Sequence, residues 1–243
     1  TDSLNIQKKI LPMTTSKKNS RRRATFSAHY QNGQFNLGFI SKFGEIVIDL
    51  QTCKILEKDL LHLYRQLQYN LKKSINKNIY FKIQINLVHN GSDIVFDLPK
   101  GSYKKIFKVD NLISDLISLN VLRVSFKEGK RIFSFPLYGQ VRNKLGILNN
   151  KTIFTFPPPG GFLQPTKSGE TEIIKYVLRA IEGSKKVADL FCGSGTLSIP
   201  IAENAEMISV DTNIDSLSGL KNGLKYYNKI DKNKVFQQNL LIT

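Results

Sequence analysis

The sequence predicts an α/β protein in two parts, an α+β part followed by an open parallel sheet. In residues 21–150, strand-like runs of alternating apolar and polar residues outnumber two amphipathic helices, which indicates antiparallel strands. In residues 151–243, helical and strand-like segments alternate instead, and such βαβ units build a parallel sheet. The run PPPGG breaks regular structure where the pattern changes. We therefore predict two domains with a boundary near residue 150, preceded by an irregular arm at residues 1–20.

The composition indicates a globular protein with a strongly positive charge. Hydrophobic residues make up 41% of the chain, enough for an ordinary core, and the formal net charge is +17. Such a charge is typical of proteins that neutralise the phosphates of nucleic acids. The alternative is a composition bias, since Lys outnumbers Arg and an AT-rich genome favours Lys, Asn and Ile. The chain has two cysteines, no apolar run of about 18 residues and no signal-peptide pattern, so we expect a cytoplasmic protein without membrane contact.

The first part is predicted to combine hairpins and helices. A strand in RRRATFSAHY is followed by the turn QNGQ and by a hairpin in FNLGFISKFGEIVIDL, whose bend lies near Gly44. Leucines at steps of three and four then form the stripe of an amphipathic helix, namely Leu56, Leu60, Leu63, Leu67 and Leu71. A hairpin around HNGS at 79–98, a helix at 108–119 and a hairpin in VLRVSFKEGKRIFSFP complete this part.

The second part is predicted to be a regular alternation of helices and strands. The predicted helices cover residues 168–182, 196–203 and 214–228, and the predicted strands cover residues 186–191, 206–211 and 234–239. This order is typical of a doubly wound sheet, in which ligands bind at the carboxyl ends of the strands.

A glycine turn follows the first strand of this sheet, in VADLFCGSGT. Gly193 and Gly195 allow the backbone to approach a ligand closely, and the spacing lacks the third glycine of dinucleotide-binding turns. A smaller adenosine ligand is therefore favoured over a dinucleotide. Asp211 ends the next strand, where a carboxylate can accept hydrogen bonds from ribose hydroxyls, and Asn239 ends the third, where an amide can contact adenine.

Two residues of the glycine turn have competing interpretations. Asp189 either belongs to the ligand site or only caps the turn, a position that Asp often takes. Cys192 has the residue type of a nucleophile, but a small apolar side chain in a tight turn is the favoured interpretation.

Two stretches, FPPPGGFLQPTKSGETEII and ADLFCGSGTLSIPIA, resemble the bacterial RNA uracil-C5-methyltransferases, which make 5-methyluridine in ribosomal or transfer RNA. The resemblance implies a Rossmann-like methyltransferase sheet that binds S-adenosylmethionine and is incomplete here, since the sequence would be truncated at both ends. The cofactor-contacting positions that it implies are Gln164, Phe191, Thr196, Asp211 and Asn239, together with Gly193 and Gly195.

The resemblance also implies the chemistry of methyl transfer. In that family a cysteine thiolate adds to carbon 6 of a flipped uracil, carbon 5 then takes the methyl group, and a base removes its proton. The nucleophile and the base lie in later segments of the family that this sequence does not contain. We therefore assign no catalytic residue and expect residues 1–243 alone to be inactive.

A looser resemblance extends upstream into RRRATFSAH and IVIDLQTCKIL. In iron-sulfur members of the family, a cysteine at the position of Cys53 is the fourth ligand of a 4Fe-4S cluster. The other three ligands precede residue 1, and four thiolates are needed, so Cys53 is either a possible metal ligand of a longer parent protein or a structural residue.

The expected RNA contacts are Arg21, Arg22 and Arg23, the densest basic cluster, which lies near Phe26, His29 and Tyr30. A solvated strand end is the plainer alternative. We expect a monomer whose partner is ribosomal rather than transfer RNA.

Three rival functions remain at the level of sequence. The chain is alternatively an S-adenosylmethionine-dependent methyltransferase of another substrate class, or a non-catalytic RNA-binding module. An NAD-dependent dehydrogenase is least favoured, because the third glycine is absent.

Overall fold

A computed structural model describes residues 13–41, 47–75, 77–103 and 109–241. The bend near Gly44, residues 1–12 of the predicted arm and the predicted helix start at residue 108 lie outside these ranges. Residues 13–22 comprise the described remainder of the arm and the two arginines that follow it. They contain a turn and two isolated bridges, from Arg21 to Leu56 and to Thr166, but no helix or extended strand.

A seven-stranded sheet forms the first part of the fold. Its strands are β1 (Arg23–Gln31), β2 (Gln34–Ile40), β3 (Val47–Ile48), β4 (Ile79–Val88), β5 (Gly91–Leu98), β6 (Val121–Glu128) and β7 (Arg131–Pro136). The strand order is β3-β2-β1-β4-β5-β6-β7, and neighbours are antiparallel except β5 and β6, which are parallel. The crossover helix α2 (Val109–Ser118) joins that parallel pair.

Helix α1 (Lys58–Ser74) supplies much of the first hydrophobic cluster. The predicted leucine stripe is buried, with Leu56 just before the helix and Leu60, Leu63, Leu67 and Leu71 within it. These side chains pack with alternate residues of the strands, such as Phe26 and Phe81. The other face of the sheet includes Thr25, Gln84 and Ser125, which lie in one cross-strand row with Val95.

The second part contains a small hairpin and a three-stranded parallel sheet. Its elements are β8 (Asn143–Leu148), β9 (Lys151–Thr155), α3 (Lys167–Ala180), β10 (Lys186–Leu190), α4 (Ser198–Ile201), β11 (Glu206–Asp211), α5 (Ile214–Tyr226), a 3-10 turn (Ile230–Lys232) and β12 (Lys234–Gln237). The parallel order is β10-β11-β12, as the βαβ alternation predicts. The predicted helix 196–203 is reduced to the four residues of α4, with turns on both sides.

The β8–β9 hairpin is absent from the sequence prediction. Leu145 and Ile153 pack in a second hydrophobic cluster with α3, α4 and α5. The proposed domain boundary near residue 150 stays a prediction, and this packing favours a position before Asn143.

Candidate functional site

The turn after β10 adopts a left-handed backbone at three positions. The φ angles are +62° at Phe191, +54° at Gly193 and +88° at Gly195. A Cβ on Gly195 would lie 2.6 Å from Cδ1 of Leu220, so this glycine lets the turn pack on α5. A Cβ on Gly193 would have no atom within 4 Å, so that residue faces open space.

Asp211 holds this turn from the end of the neighbouring strand. Its Oδ2 accepts a hydrogen bond from the backbone N–H of Gly193 at 2.8 Å, and its Oδ1 accepts one from the N–H of Asn213 at 2.8 Å. Each carboxylate oxygen has a second lone pair, so the group keeps acceptor capacity for a ligand.

Asp189 is the penultimate residue of β10, is half-buried, and is hydrogen-bonded to a chain of hydroxyl groups. The hydroxyl of Ser198 donates to its Oδ2 at 2.6 Å, and Ser209 donates to Ser198 at 3.0 Å. Burial raises the pKa of Asp189, the hydrogen bonds from Ser198 oppose that rise, and the charge of Asp211 adds to it.

A cavity of about 190 Å³ lies between the glycine turn and the segment before α3. Its wall is formed by Phe162, Gln164, Ile173, Asp189, Phe191, Cys192, Gly193, Ser194, Thr196, Leu197 and Ser216. The structure thus brings together four of the predicted site residues, Gln164, Phe191, Gly193 and Thr196. Larger cavities of about 410 and 560 Å³ lie away from this turn.

The other three predicted residues lie outside the cavity wall. Gly195 packs against Leu220 of α5. Asp211 is connected to the cavity wall by its hydrogen bond from the N–H of Gly193. Asn239 lies two residues beyond β12 and is exposed, and its Oδ1 accepts a hydrogen bond from the N–H of Leu241 at 3.0 Å.

The sequence prediction missed the apolar part of the wall. Phe162 stands two residues before Gln164, and in extended chain such residues point to the same side. This spacing could have indicated that Phe162 lines the site together with Gln164. Ile173 and Ser216 come from helices whose approach only the packing reveals.

The Cys192 thiol is buried, and its pKa is raised to about 12, first by burial and then by the charges of Asp189 and Asp211. A thiol held protonated in this way is a weak nucleophile. The structure therefore favours the packing role of Cys192 over a catalytic one.

Arg22 fixes the segment that carries Gln164. Its Nε donates to the carbonyl oxygen of Gln164 at 3.1 Å, and its backbone N–H donates to that of Pro165 at 2.9 Å. Its Nη1 donates to Oδ1 of Asn143 at 2.8 Å, and its Nη2 lies 2.8 Å from Oε1 of Glu170. Because Arg22 is only 4% exposed, its guanidinium is not available to RNA, unlike the predicted role.

The two flanking arginines are more accessible. Arg21 is exposed and Arg23 is half-buried, with the Arg23 Cζ 4.8 Å from the ring centroid of Phe162 at the cavity wall. Phe26, which the sequence placed beside this cluster, is fully buried in the first hydrophobic cluster.

Cys53 is half-buried against the first hydrophobic cluster, and its Sγ accepts a weak hydrogen bond from the N–H of Leu56 at 3.5 Å. Within the described residues no group of three or more His, Cys, Asp or Glu could hold a metal ion. One thiolate does not fit a cluster that takes four, so these residues alone do not form the iron-sulfur site.

Among the described helices, none is both long enough and apolar enough to cross a bilayer. No family model matches the chain.

Curated relatives match the chain over most of its length. A 23S rRNA (uracil(1939)-C(5))-methyltransferase of Shewanella sediminis is 29% identical over 199 residues, 79% of this chain and 43% of that protein. An uncharacterized RNA methyltransferase of Brucella suis is 24% identical over 221 residues, 91% of this chain and 51% of that protein. The chain spans about half the length of the curated relatives it matches. The predicted resemblance to RNA uracil-C5-methyltransferases is confirmed.

A solved structure has the same fold. The Pyrococcus abyssi tRNA (uracil-54, C5)-methyltransferase in complex with S-adenosyl-L-homocysteine matches with a TM-score of 0.64, over 91% of this chain and 56% of that chain. The sequence identity is 13%, so the likeness is one of fold. The predicted α/β class is confirmed.

Proposed function

We propose that this chain binds S-adenosylmethionine at the glycine turn and forms part of an RNA (uracil-C5)-methyltransferase. The observation that carries the proposal is the cavity between Phe191, Gly193 and Thr196 on one side and Gln164 on the other. Gly193 leaves open space where any other residue would project a side chain, which suits a close-fitting ligand. The relatives named as RNA methyltransferases, and the neighbour solved with S-adenosyl-L-homocysteine, support the same assignment.

The proposal assigns a ligand contact to each of three polar side chains. Asp211, held by two backbone N–H groups, accepts hydrogen bonds from the ribose of the ligand. Gln164 contacts the ligand from the opposite wall, in a segment that Arg22 holds in place. Asn239 is proposed to contact adenine. Bound at this site, the cofactor supplies an electrophilic methyl group.

We propose ribosomal RNA as the substrate class, because the Shewanella relative is named for a 23S rRNA uracil. The covalent cysteine adduct belongs to the same proposal. Neither cysteine of this chain suits the role of nucleophile, since Cys192 is held as a thiol and Cys53 packs in the first hydrophobic cluster. We therefore expect cofactor binding but no formation of 5-methyluridine by residues 1–243 alone. A cytoplasmic location and a monomeric state stay predictions.

Isothermal titration calorimetry with S-adenosyl-L-homocysteine tests the site. We expect the unmodified chain to bind it. Asp211→Ala removes both a ligand acceptor and the two hydrogen bonds that hold the turn, so its affinity falls at least about tenfold, as loss of a charged acceptor worth about 1.5–3 kcal/mol requires. Asp231→Asn removes an exposed carboxylate in the second part and is the matched control.

The proposal fails if the folded chain does not bind the ligand, or if the Asp211 and Asp231 variants bind it equally well. An isotope-transfer assay with uridine-containing RNA tests catalysis separately, and 5-methyluridine formed by this chain alone would refute the expected inactivity.

A further inference from the structure

Three cationic or titratable side chains lie beside the ring of Phe154 in the β8–β9 hairpin, and a fourth lies close enough for its charge to act on them. The Cζ of Arg142 lies 5.1 Å from the ring centroid of Phe154, and the His89 ring centroid lies 5.0 Å from the same ring. The backbone N–H of His89 donates to the carbonyl oxygen of Arg142 at 2.8 Å. Lys144 lies opposite Phe154 in the pairing of β8 with β9, and the charge of Lys167 acts on His89. We call Arg142, His89, Lys144 and Lys167 the hairpin patch.

The buried contacts among Arg22, Asn143 and Glu170 determine which way the patch faces. The side chain of Asn143 is buried, and it contacts both Arg22 and Glu170. Side chains of neighbouring residues in extended chain point to opposite sides, so Arg142 and Lys144 are directed away from this buried contact. Both are half-buried rather than enclosed.

Within the described residues the positive charge of the patch is only partly offset, by the carboxylates of Glu57 and Glu170, which raise the pKa of Lys167. None of the ion pairs observed there includes Arg142, Lys144 or Lys167. The neighbouring carboxylate of Glu170 is fully buried and already paired with Arg22. Cations kept together without a partner repel one another, and a bound anion relieves that repulsion.

The pKa values of two members are lowered first by burial and then by this repulsion. Burial is the largest cause that lowers the pKa of Lys167, and the charges of Arg22 and Lys144 lower it further, while Glu170 and Glu57 oppose them. The pKa of His89 is lowered by slight burial and then by Lys144, Arg142 and Lys167. The local potential is therefore positive.

We propose that the hairpin patch binds the phosphate groups of an RNA strand, with Arg142, Lys144 and Lys167 as the contacts. The inference rests on the proposed function and adds an RNA-contacting surface to it. Arg142 is held against Phe154, which orders its planar guanidinium for phosphate at little entropic cost. Contacts of this kind orient RNA without reading its sequence. The patch provides accessible positive charge for RNA, which the buried Arg22 does not.

Fluorescence anisotropy with a labelled single-stranded RNA of 20 nucleotides tests the proposal. The triple variant R142Q/K144Q/K167Q removes three charges from the patch, and K72Q/K130Q/K221Q removes three exposed lysines elsewhere. The matched control lowers the net charge equally. We expect the patch variant to bind at least about tenfold more weakly at moderate salt, and its salt slope to fall by about 2, because each phosphate contact on a single strand contributes about 0.7.

A charge-retaining variant separates charge from packing. K144R/K167R, with Arg142 retained, should keep most of the affinity, because each of the two replacements keeps its positive charge. Thermal unfolding of all three variants shows whether each is folded. The proposal is overturned if the patch and control variants have the same affinity and salt slope, or if the charge-retaining variant loses binding as fully as the glutamine variant.

Histidine NMR gives an independent readout at the patch. The chain has three histidines, and His62 on α1 is an internal reference. RNA bound at the patch should raise the pKa of His89, because phosphate neutralises the cations that lower it, and should leave the NMR resonances of the His62 ring unmoved. An unmoved His89 in the presence of bound RNA counts against the proposal.

The two proposals fail in different ways. If the chain does not bind S-adenosyl-L-homocysteine but the patch variant still loses RNA affinity, the cofactor assignment falls and the RNA surface stands. If the cofactor analogue binds and the patch variant keeps full RNA affinity, only the RNA surface falls. Binding to vesicles of anionic lipid through the patch, without binding to RNA, would also overturn the RNA assignment.

Discussion

Arg22 and Glu170 form a buried ion pair that joins the first sheet to helix α3, with Nη2 and Oε1 2.8 Å apart. Glu170 is fully buried, and Asn143 donates to both of its carboxylate oxygens, at 3.1 and 3.3 Å. Burial raises the pKa of Glu170, whereas Arg22, its largest opposing influence, lowers it. The pair therefore depends on both partners being present.

Removal of Arg22 alone should destabilise the protein strongly. Arg22→Met leaves the Glu170 carboxylate buried without its cation, and breaking a buried pair in this way costs about 3–5 kcal/mol. The double variant Arg22→Met/Glu170→Leu removes both charges and should recover much of the loss. Urea unfolding at pH 7 measures both changes, with exposed Arg131→Met as the control. A double variant no more stable than Arg22→Met would contradict the ion-pair account.

The case of Arg22 illustrates what the sequence can and cannot predict. Arg21, Arg22 and Arg23 are identical in type, and only the docking of α3 against the first sheet distinguishes the buried one. The glycine turn, in contrast, was predictable, because its strand, its Gly-x-Gly spacing and the aspartate that ends the next strand all lie in one short stretch of sequence. The cavity wall also includes Phe162 and Ile173. These two residues lie near the glycine turn only because of the tertiary packing, which the sequence pattern does not reveal.

The missed β8–β9 hairpin has a different cause. Its turn residues Asn149 and Asn150 both have positive φ, +49° and +61°, as two-residue hairpin turns require. Asn is one of the few residues that adopt this backbone readily, so the signal was present in the sequence. The prediction instead assigned residue 150 to a domain boundary.

Alanine at the two glycines of the turn should separate stability from ligand binding. Gly195→Ala places a Cβ 2.6 Å from Leu220 in addition to backbone strain, so we expect a loss of about 2–4 kcal/mol in unfolding free energy. Gly193→Ala has only the backbone cost, about 1–2 kcal/mol, but puts a methyl group at the cavity. Urea unfolding and calorimetry with S-adenosyl-L-homocysteine measure the two effects. Equal stability losses in the two variants would contradict the packing role of Gly195.

The thiol of Cys192 should resist alkylation. With its pKa raised to about 12 and its side chain buried, almost no thiolate forms at pH 8. Iodoacetamide should therefore modify only Cys53 in the folded chain and both cysteines in denaturant, as mass spectrometry of the peptides would show. Cys192→Ala should keep affinity for S-adenosyl-L-homocysteine within about threefold, because the side chain has a packing role. Rapid labelling of native Cys192 would contradict the protonated, enclosed thiol.

The half-buried carboxyl of Asp189 should make the stability of the protein depend on pH. Its pKa in the folded chain lies above the ordinary value of 3.8, so its favourable contribution is complete below that value and is lost as the pH rises through the folded-state pKa. Asp189→Asn keeps an acceptor for the Ser198 hydroxyl and carries no charge, so at pH 7 it should unfold at a higher temperature than the unmodified chain. The advantage should shrink as the pH falls towards 3.8, and calorimetric melting at several pH values measures it. Asp231→Asn, an exposed carboxylate, should give no such trend. A melting difference independent of pH would mean that Asp189 is already solvated in the folded chain.

Asp189 also lines the cavity, so Asp189→Asn should affect ligand binding as well. The variant should weaken the binding of S-adenosylmethionine, whose sulfur is positively charged, more than that of S-adenosyl-L-homocysteine, whose sulfur is uncharged, because only the charged sulfur is attracted by a nearby carboxylate.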